Sequence, residues 1–257
     1  MACFVEYQKE NHIGVITLNN PPLNLGCTQV TRAFYDILDD VEKDEELRVC
    51  VLAAKGRVYS AGSDMKEMVE HLQSGTYVDL KMTNEIRLRN RIANLPVPTI
   101  AAMDGPAYGG GFDMALSCDM RVVAPHVIVS LPEIALGSFP GSGSSYRITR
   151  LIGRGRAIEY MLFGKEINAG EGKELGIFNA VAEQETALEF AIKWAKDLAK
   201  KSPAALRAVK GSLVEMYAPH QAWLDSVQMK WSRKVAESGH LQMGCTAFFA
   251  KKPLEFE

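Results

Sequence analysis

Two carboxylic acids in apolar surroundings, Asp113 and Glu133, are the side chains of this sequence best suited to acid–base chemistry. Asp113 follows the run Gly109–Gly111 at the front of the apolar segment FDMALS, and Glu133 lies within LPEIALG. A carboxyl group removed from water favours its neutral form, so it can donate or accept a proton near neutral pH. Each acid taken alone is more often structural, because most such acids only cap backbone groups. Together they predict a site that moves protons.

Two segments of small residues could hold a developing negative charge beside these acids. One is Gly109–Gly111, and the other is the loop YSAGSD over residues 59–64; each stands where a helix is predicted to begin. Residues without a Cβ let a ligand approach the backbone, and amides at a helix N-terminus point outward. One amide from each segment could bind the same carbonyl oxygen, which is how an oxyanion hole is built. The alternative is that the glycines only permit a tight turn.

Other kinds of catalytic site find little support in the sequence. The five histidines have no ligand spacing, which argues against a metal site. No G-x-S-x-G motif is present, and PGSGSS lacks the lysine of a phosphate-binding loop. No G-x-G-x-x-G motif follows a predicted strand, so dinucleotide binding is not indicated. We therefore expect neither a metal nor a cofactor.

The composition is that of an ordinary globular protein. Hydrophobic residues make up 47% and charged residues 23% of the 257 residues, and the net charge of -2 gives no reason to expect a polyanion as partner. Neither a secretory signal nor an apolar run of about 18 residues is present, so we expect no membrane association. The cysteines are odd in number and far apart, which is typical of free thiols in a reducing cytoplasm. They are Cys3, Cys27, Cys50, Cys118 and Cys245.

The elements that must position the two acids alternate between strand and helix through the first two thirds of the chain. The apolar runs LRVCVLAA and TIAAMDG predict strands, and amphipathic spacing predicts helices over residues 28–45 and 78–95. Asp64 can cap a further helix that begins at MKEMVEHL. The last third is mostly helical, including PAALRAVKGSLVEMY and HQAWLDSVQMKWSRKVAES. This order predicts a layered α/β body at residues 1–195 and a helical C-terminal region at residues 196–257.

Four segments resemble, in order, the signature segments of the crotonase (enoyl-CoA hydratase/isomerase) superfamily. They are SAGSDMKEM, PTIAAMDGPAYGGGFDMALSCDMRV, LPEIALGSFPGSGSSYRITRLIGRGRAIEYMLFG and AFFAKKPLEF, and the similarity extends over essentially the whole chain. The resemblance implies a spiral of repeated ββα units, followed by a helical region that supports trimers or dimers of trimers. It also implies an acyl-CoA thioester as substrate, with no further cofactor.

The resemblance also implies roles for particular residues. Asp113 and Glu133 match the two acids that flank the reacting carbons, and the amides of Ser63 and Gly110 match the positions that bind the thioester oxygen. Two further sets match CoA-binding positions: the backbone of Leu23, Leu25 and Ala61 near the adenine, and Lys251 and Lys252 near the phosphates, often from a neighbouring subunit. For the two lysines, a solvated tail is an equal alternative.

The acids leave several reactions of the superfamily open. Its hydratases carry Glu at both positions, whereas Asp113 stands at the first, and the carboxylate of Asp reaches about 1.5 Å less far, enough to affect catalysis. Dienoyl-CoA isomerases carry Asp and Glu there, with a further Asp where this chain has Gly141. We favour an enoyl-CoA hydratase, because two acids occupy the water-binding positions. An enoyl-CoA or dienoyl-CoA isomerase is the alternative, and an acyl-CoA hydrolase or decarboxylase comes third.

Some members of the superfamily bind RNA through basic helices, and this different class of function has one candidate here. The segment DLKMTNEIRLRNRI carries Lys81, Arg87, Arg89 and Arg91. A solvated helix face is the simpler interpretation, because the net charge is slightly negative and no aromatic residues interleave with the basic ones. Nucleic acid is therefore not expected as a partner.

Overall fold

Two β-sheets form the framework that carries the predicted site. The structure, a computed structural model, describes residues 4–254 and 256, apart from the side chains of residues 217 and 219. Cys3, one of the predicted free thiols, lies outside the described residues. Within them the strands are β1 (Val5–Glu10), β2 (Ile13–Leu18), β3 (Val49–Ala54), β4 (Thr99–Met103), β5 (Ala107–Tyr108), β6 (Met120–Val123), β7 (Ile128–Ser130), β8 (Ile167–Asn168) and β9 (Ala180–Val181).

Helices connect these strands and form the C-terminal part. The α-helices of the described residues are α1 (Thr28–Lys43), α2 (Met65–Gln73), α3 (Thr83–Ala93), α4 (Gly110–Leu116), α5 (Ser144–Phe163), α6 (Ala169–Glu174), α7 (Ala187–Ala199), α8 (Pro203–Ser238) and α9 (His240–Ala250). A π-helix (Tyr77–Met82) runs directly into α3, and a 3₁₀-helix (Glu133–Leu136) follows β7. Among the described residues, no helix combines the length and the apolar character that a membrane span requires.

The larger sheet has the strand order β1-β2-β3-β4-β6-β9. β1 and β2 form an antiparallel pair, and the remaining neighbours pair in parallel. β3 and β4 are buried along almost their whole length, which explains their nearly continuous apolar sequences. The smaller sheet has the order β5-β7-β8. Two parallel bridges, Gly26 with Ser63 and Ser60 with Ala107, fix the loop over residues 59–64 beside β5 and the start of α4.

The helices predicted from the sequence in the first 95 residues are present, with small differences in form. α1 begins at Thr28 as predicted, and Asp64 caps α2 by accepting hydrogen bonds from the amides of Lys66 and Glu67. The helix predicted over residues 78–95 is a π-helix followed by α3. Apolar spacing does not separate the two forms over so short a stretch, because both place apolar residues on one face.

One helix of 36 residues, α8, dominates the C-terminal region. The sequence predicted helices over two separate segments here, and they form a single helix because contacts hold both halves against the same body. Lys210 in the first half pairs with Asp119 at 2.5 Å, and Asp225 in the second half accepts a hydrogen bond from Asn90 at 2.8 Å. The predicted boundary between residues 195 and 196 lies inside α7, and the division into two domains stays a prediction.

Candidate active site

A cleft of about 490 Å³ opens beside the two loops of small residues. Its wall includes all the backbone positions predicted to contact the thioester or the adenine: Leu23, Leu25, Ala61, Ser63 and Gly110. The C-terminal helix α9 contributes Phe248 and Phe249. The structure therefore brings these residues together around one cavity, and the binding of CoA by them stays a prediction.

The backbone amides of Ser63 and Gly110 are both free to bind a ligand atom. Ser63 lies in a parallel bridge with Gly26, whose hydrogen bonds run to the residues on either side of Ser63, so the Ser63 N–H points away from the bridge. Gly110 is the first residue of α4, where an amide has no acceptor within the helix. Neither amide donates a hydrogen bond to any group in the described part of the chain.

These two amides border the same space. A Cβ built on Gly110 would lie 3.9 Å from the Ser63 nitrogen, and one built on Gly62 would lie 3.5 Å from the Gly110 nitrogen. A ligand oxygen placed beside Gly110 therefore has two fixed donors around it. Two fixed N–H donors around one oxygen position are the arrangement that stabilises an oxyanion.

The three consecutive glycines have separate structural reasons. Gly109 has a φ of 51°, a left-handed conformation that favours glycine, and a Cβ there would lie 3.1 Å from Glu133 Oε1. A Cβ on Gly111 would lie 2.4 Å from the carbonyl oxygen of Ser60, so that position admits no side chain. At Gly110 the nearest atom would be 3.5 Å from such a Cβ, an ordinary contact. The missing side chain of Gly110 therefore keeps the oxygen site open and relieves no clash.

A smaller chamber of about 50 Å³ continues from the cleft. Five residues line both cavities and so form the boundary between them: Ser63, Met68, Gly110, Glu133 and Leu136. Asp113 and Glu133 both line the chamber. The structure thus brings the two predicted acids to one place, directly behind the two free amides.

Glu133 is the protonated acid of the pair. It is the first residue of the 3₁₀-helix, and burial raises the pKa of its carboxyl group to about 8, with the negative charges of Asp113 and Glu85 adding to the effect. Its Oε2 has no hydrogen-bond partner among the described residues. A carboxyl group with this pKa carries its proton at neutral pH and can donate it to a substrate.

Asp113 is an ion-paired carboxylate on α4. Its Oδ1 accepts a hydrogen bond from Arg147 at 3.2 Å, and its Oδ2 lies 3.7 Å from Nε of Arg89. Within the described chain, that Oδ2 has no hydrogen-bond partner. Arg89 also donates to the carbonyl oxygen of Gly110 at 3.1 Å, which ties the acid to the oxyanion loop. Two arginines therefore compensate the charge of Asp113, and its Oδ2, which pairs with Arg89 without a hydrogen bond, can still accept one from a ligand.

A second charged pair lines the chamber and was not predicted from the sequence. Lys81 and Glu85 lie 2.9 Å apart, and Glu85 also accepts hydrogen bonds from Ser63 and Ser142. Burial by itself raises the pKa of Glu85, but the charges of Lys81 and Arg89 and these hydrogen bonds lower it to about 2. Lys81, Glu85 and Arg89 are four residues apart, a spacing that puts them on one helix face. That signal was available, but in a sequence it usually marks a solvated ion pair.

The basic residues considered for nucleic-acid binding do not form a free basic face. Lys81 and Arg89 are buried beside the chamber, with relative exposures of 6% and 4%, so the expectation of a solvated face is wrong for these two. Arg91 pairs with Asp39 at 2.7 Å and with Glu42 at 2.8 Å. Most of the positive charge of this segment is therefore already compensated within the chain.

Lys251 and Lys252, the predicted phosphate contacts, are exposed and do not line the cleft of the described chain. They directly follow α9, whose Phe248 and Phe249 do line it. Their predicted contact with CoA, including contact from a neighbouring subunit, stays a prediction. No cluster of His, Cys, Asp and Glu side chains in the described residues is arranged to hold a metal ion.

Comparison with known proteins assigns the family. A family model for enoyl-CoA hydratase/isomerase matches residues 8–257. The chain belongs to the enoyl-CoA hydratase/isomerase family. A protein of Bacillus subtilis (strain 168) described as a probable enoyl-CoA hydratase is 30% identical over 253 residues, which cover 96% of each chain. The mitochondrial enoyl-CoA hydratase of Pongo abelii is 29% identical over 250 residues, which cover 97% of this chain and 85% of that protein.

Solved structures of hydratases have the same fold. The chain matches an enoyl-CoA hydratase from Bacillus halodurans with a TM-score of 0.88 at 22% identity, over 95% of this chain and 99% of that one. A hydratase from Mycobacterium avium subsp. paratuberculosis K-10 matches with a TM-score of 0.86 at 22% identity, over 99% and 98% of the two chains. The predicted superfamily and its α/β fold with a helical C-terminal part are confirmed, and the protein is an acyl-CoA-processing enzyme of this family.

Proposed function

We propose that this enzyme is an enoyl-CoA hydratase, which adds water across the 2,3-double bond of an enoyl-CoA thioester. One observation carries the proposal: Asp113 and Glu133 line a single chamber directly behind the free amides of Ser63 and Gly110. This arrangement offers one substrate both an oxyanion site and two acids. Hydration needs all of these, because water must be held, a proton delivered and an enolate stabilised.

The two amides stabilise the charge that develops on the substrate. When water attacks the β carbon, electrons of the double bond move towards the thioester oxygen and an enolate forms. The N–H groups of Ser63 and Gly110 then donate hydrogen bonds to that oxygen. Losing one such donor typically costs about 2.7–4 kcal/mol of transition-state stabilisation.

Glu133 and Asp113 divide the proton transfers. Asp113 holds the water through its Oδ2, which accepts no hydrogen bond within the described chain, and takes a proton as the hydroxyl group bonds to the β carbon. Glu133, which is protonated at neutral pH, gives its proton to the α carbon. The proton gained by Asp113 passes to solvent and solvent reprotonates Glu133, so the net change is the addition of one water.

Isomerisation of an enoyl-CoA double bond is the alternative, because Glu133 alone can move a proton between carbons. Dienoyl-CoA isomerisation has less support, since the family places its third acid where this chain has Gly141. A Cβ at Gly141 would meet side-chain atoms, Met82 Cε at 2.9 Å and Ser232 Oγ at 3.0 Å, and the flexible end of Met82 can move, so the missing acid and not a lack of room counts against this reaction. A hydrolase or a decarboxylase could use the same amides, but neither requires two facing acids. The Oδ2 of Asp113, which accepts no hydrogen bond within the described chain, favours hydration because it can hold the water.

The outer cleft is the proposed site of the CoA moiety, with the adenine along the backbone of Leu23, Leu25 and Ala61. Lys251 or Lys252 of a neighbouring subunit would reach the phosphates in a trimer or a dimer of trimers. A cytoplasmic location is part of the proposal. It is supported by the unpaired thiols of the described chain, which are Cys27, Cys50, Cys118 and Cys245.

Mass spectrometry of acyl-CoA thioesters incubated with the enzyme in heavy-oxygen water tests the reaction. Uptake of the label into the product indicates hydration. An unchanged mass with a shifted double bond indicates isomerisation, and would replace the hydratase assignment. Release of free CoA would instead indicate hydrolysis.

The Asp113→Asn variant separates hydration from isomerisation independently. If Asp113 holds the water, hydration should fall on the order of 10²–10⁴-fold, the usual contribution of a positioned acid or base. Thermal unfolding of the same variant measures its stability. This control is needed because Arg89 and Arg147 lose their anionic partner in the variant. A folded Asp113→Asn enzyme with full native activity would leave the isomerase assignment ahead.

A further inference from the structure

The inner chamber has polar groups on its wall that the proposed mechanism does not use. Besides Asp113 and Glu133, the wall includes Lys81 and Glu85. It also includes five hydroxyl-bearing residues, Ser63, Tyr77, Ser138, Ser142 and Ser144. The hydroxyl groups of Ser63 and Ser142 already donate to Glu85. The remaining wall is apolar and includes Met68, Met82, Leu136, Phe139 and Leu241. An acyl chain in this chamber therefore meets apolar contacts and one buried ion pair.

Lys81 has hydrogen-bond donors that no protein group uses. Its side chain is only 5% exposed, and its ammonium lies 2.9 Å from Glu85. An ammonium carries three N–H donors, and within the described residues Glu85 is the one partner found for Lys81. The carboxylate oxygens of Glu85 are also engaged by Ser63 and Ser142. Lys81 is thus a buried cation on the chamber wall with donors left for a ligand.

The π-helix Tyr77–Met82 places this lysine. It buries Tyr77, Lys81 and Met82, and all three line the chamber. π-Helical turns are rare and occur frequently at functional sites. Because α3 follows the turn without a break, Glu85 stands one turn further on and fixes the ammonium in place. The local backbone is therefore arranged around a lysine that the hydration chemistry itself does not need.

The chamber also limits the length of the acyl chain. Its volume of about 50 Å³ compares with the roughly 10–15 Å³ that one water molecule requires by the same kind of measure. Beyond the reacting carbons, only a few non-hydrogen atoms fit. The substrate that matches the space is short, and a polar group on it would find the buried Lys81 on the wall.

We propose that the acyl group processed by this enzyme is short and carries an oxygen atom, in a hydroxyl or a carboxylate group, that accepts a hydrogen bond from Lys81. The proposal rests on the proposed function, because the acyl chain enters the chamber only when the thioester oxygen lies at Ser63 and Gly110. Lys81 is then a specificity residue: it selects the substrate without taking part in the addition of water.

A panel of short trans-2-enoyl-CoA thioesters of equal chain length, ending in a methyl, a hydroxyl or a carboxylate group, tests this proposal. We expect kcat/KM for at least one oxygen-bearing thioester to exceed that of the methyl one by about 10- to 100-fold, the range of a hydrogen bond to a charged group. The better of the two oxygen-bearing thioesters identifies the group that Lys81 binds. Equal or better turnover of the methyl thioester overturns the proposal and leaves the hydratase function intact. Failure to hydrate or isomerise any of the three overturns both.

Two variants test the role of Lys81 itself. Lys81→Met keeps the apolar stem and removes the ammonium, but it leaves Glu85 buried without its cation, which is destabilising. The double variant Lys81→Met/Glu85→Gln removes both charges and avoids this. In the double variant the ratio of kcat/KM between the oxygen-bearing and the methyl thioester should fall to about one. The ratio is the readout because Glu85 also contacts Ser63 and affects the pKa of Glu133, so the overall rate changes for all thioesters alike. Retention of the full preference would overturn the role of Lys81.

Arg91→Met is the matched control. It also removes a cation from an ion pair of α3, but its partners Asp39 and Glu42 lie on α1 and none of the three residues lines the chamber. Its preference among the three thioesters should equal that of the unmodified enzyme. A changed preference in Arg91→Met would mean that general weakening of α3, and not the ammonium of Lys81, sets the specificity, and would overturn the proposal.

Discussion

At the scale of single residues, the adjacent glycines Gly110 and Gly111 serve different purposes. Gly110 keeps the oxyanion site open, and Gly111 avoids a clash with the backbone. A methyl group at Gly110 would make only ordinary contacts, the nearest at 3.5 Å, yet it would stand beside the Ser63 amide. Gly110→Ala should therefore fold normally and lose about 10²–10³-fold in kcat, as when one oxyanion donor is lost. Steady-state kinetics with an enoyl-CoA, together with thermal unfolding, measures both effects.

Gly111→Ala is the matched comparison, because its methyl group would lie 2.4 Å from the Ser60 carbonyl oxygen. This variant should lose stability by about 1–3 kcal/mol, the usual cost of overpacking. The two glycines are adjacent, so the contrast depends only on what each Cβ meets. Full turnover by the Gly110→Ala enzyme would contradict the assignment of Gly110 to the oxyanion site.

Glu133 should control how activity depends on pH. Its pKa is raised to about 8 and its protonated form is the proton donor, so kcat/KM for hydration should fall as the pH rises through about 8. Glu133→Gln has no proton to give and should lose on the order of 10²–10⁴-fold below about pH 8, with a smaller difference above it, where the unmodified enzyme has also lost the proton. A pH–rate profile of both enzymes tests this, and a profile that stays flat from neutral pH to well above 8 would contradict the assigned role.

The raised pKa of Glu133 should also make the stability of the protein depend on pH. Measuring that stability shows whether Glu133→Gln is folded. Between pH 4.5, the ordinary pKa of a glutamate, and about pH 8, its pKa in the folded protein, Glu133 is protonated in the folded protein and ionised in the unfolded chain. Stability therefore falls as the pH rises through this range, by up to roughly 1.4 kcal/mol per pH unit, and falls no further above it. Glutamine cannot ionise, so Glu133→Gln should be more stable than the unmodified protein at pH near 8, and the difference should vanish near 4.5.

The site residues that could be predicted are those whose role is carried by short local patterns. Asp113, Glu133, Ser63 and Gly110 each lie in a recognisable segment, and the structure collects all four around two connected cavities. Arg147 could not be predicted, because its pairing with Asp113 joins residues 34 positions apart and depends on how α4 and α5 pack. Basic residues in a sequence are also usually solvated, which is why the buried lysine and arginines were read as surface charge.

At the scale of elements, periodicity predicted the buried strands and most helices, and failed where packing decides the outcome. β3 and β4 are nearly all apolar because both faces are covered, and that pattern is visible in one sequence. The π-helix is not visible, since one extra residue per turn barely changes a six-residue pattern. The continuity of α8 was missed because contacts along its length outweigh the local signals that divided it.

The contact between α9 and the 3₁₀-helix should matter for catalysis. Gly244 lies in α9, and a Cβ there would lie 2.2 Å from the carbonyl oxygen of Leu136, the last residue of the 3₁₀-helix that begins at Glu133. No side-chain rotation relieves a clash with backbone, so Gly244→Ala must move the two elements apart. A displacement of about 1 Å near a reacting group can cost on the order of 10²-fold, and we expect a loss approaching that size in kcat/KM.

Gly211→Ala in α8 is the control for this variant, because nothing lies within 4 Å of a Cβ at that position. It should leave activity unchanged and stabilise the helix by about 0.5–1 kcal/mol, the usual gain from replacing a glycine in a helix interior. Equal activity of the Gly244→Ala and Gly211→Ala enzymes would show that α9 does not position the acid.

At the scale of the whole molecule, α8 presents an apolar stripe to solvent. Five of its large apolar side chains are between 48% and 65% exposed: Val209, Leu213, Met216, Trp223 and Trp231. Their separations of four, three, seven and eight residues place them on one helix face. A contiguous exposed apolar surface of this kind usually marks a protein interface. The stripe therefore supports the proposed trimer-based assembly.

Substitutions in this apolar stripe should prevent assembly and leave the catalytic chamber of each chain in place. Light scattering of the unmodified enzyme should report a trimer or a hexamer, and a stable monomer at micromolar concentration would rule the assembly out. The double variant Leu213→Glu/Trp223→Glu buries charge in the proposed interface and should give a folded monomer, whereas Lys196→Glu on the exposed side of α7 should not. If Lys251 or Lys252 of a neighbour holds the CoA phosphates, the monomer should show a raised KM for acyl-CoA and a smaller change in kcat, because the chamber and both acids belong to one chain.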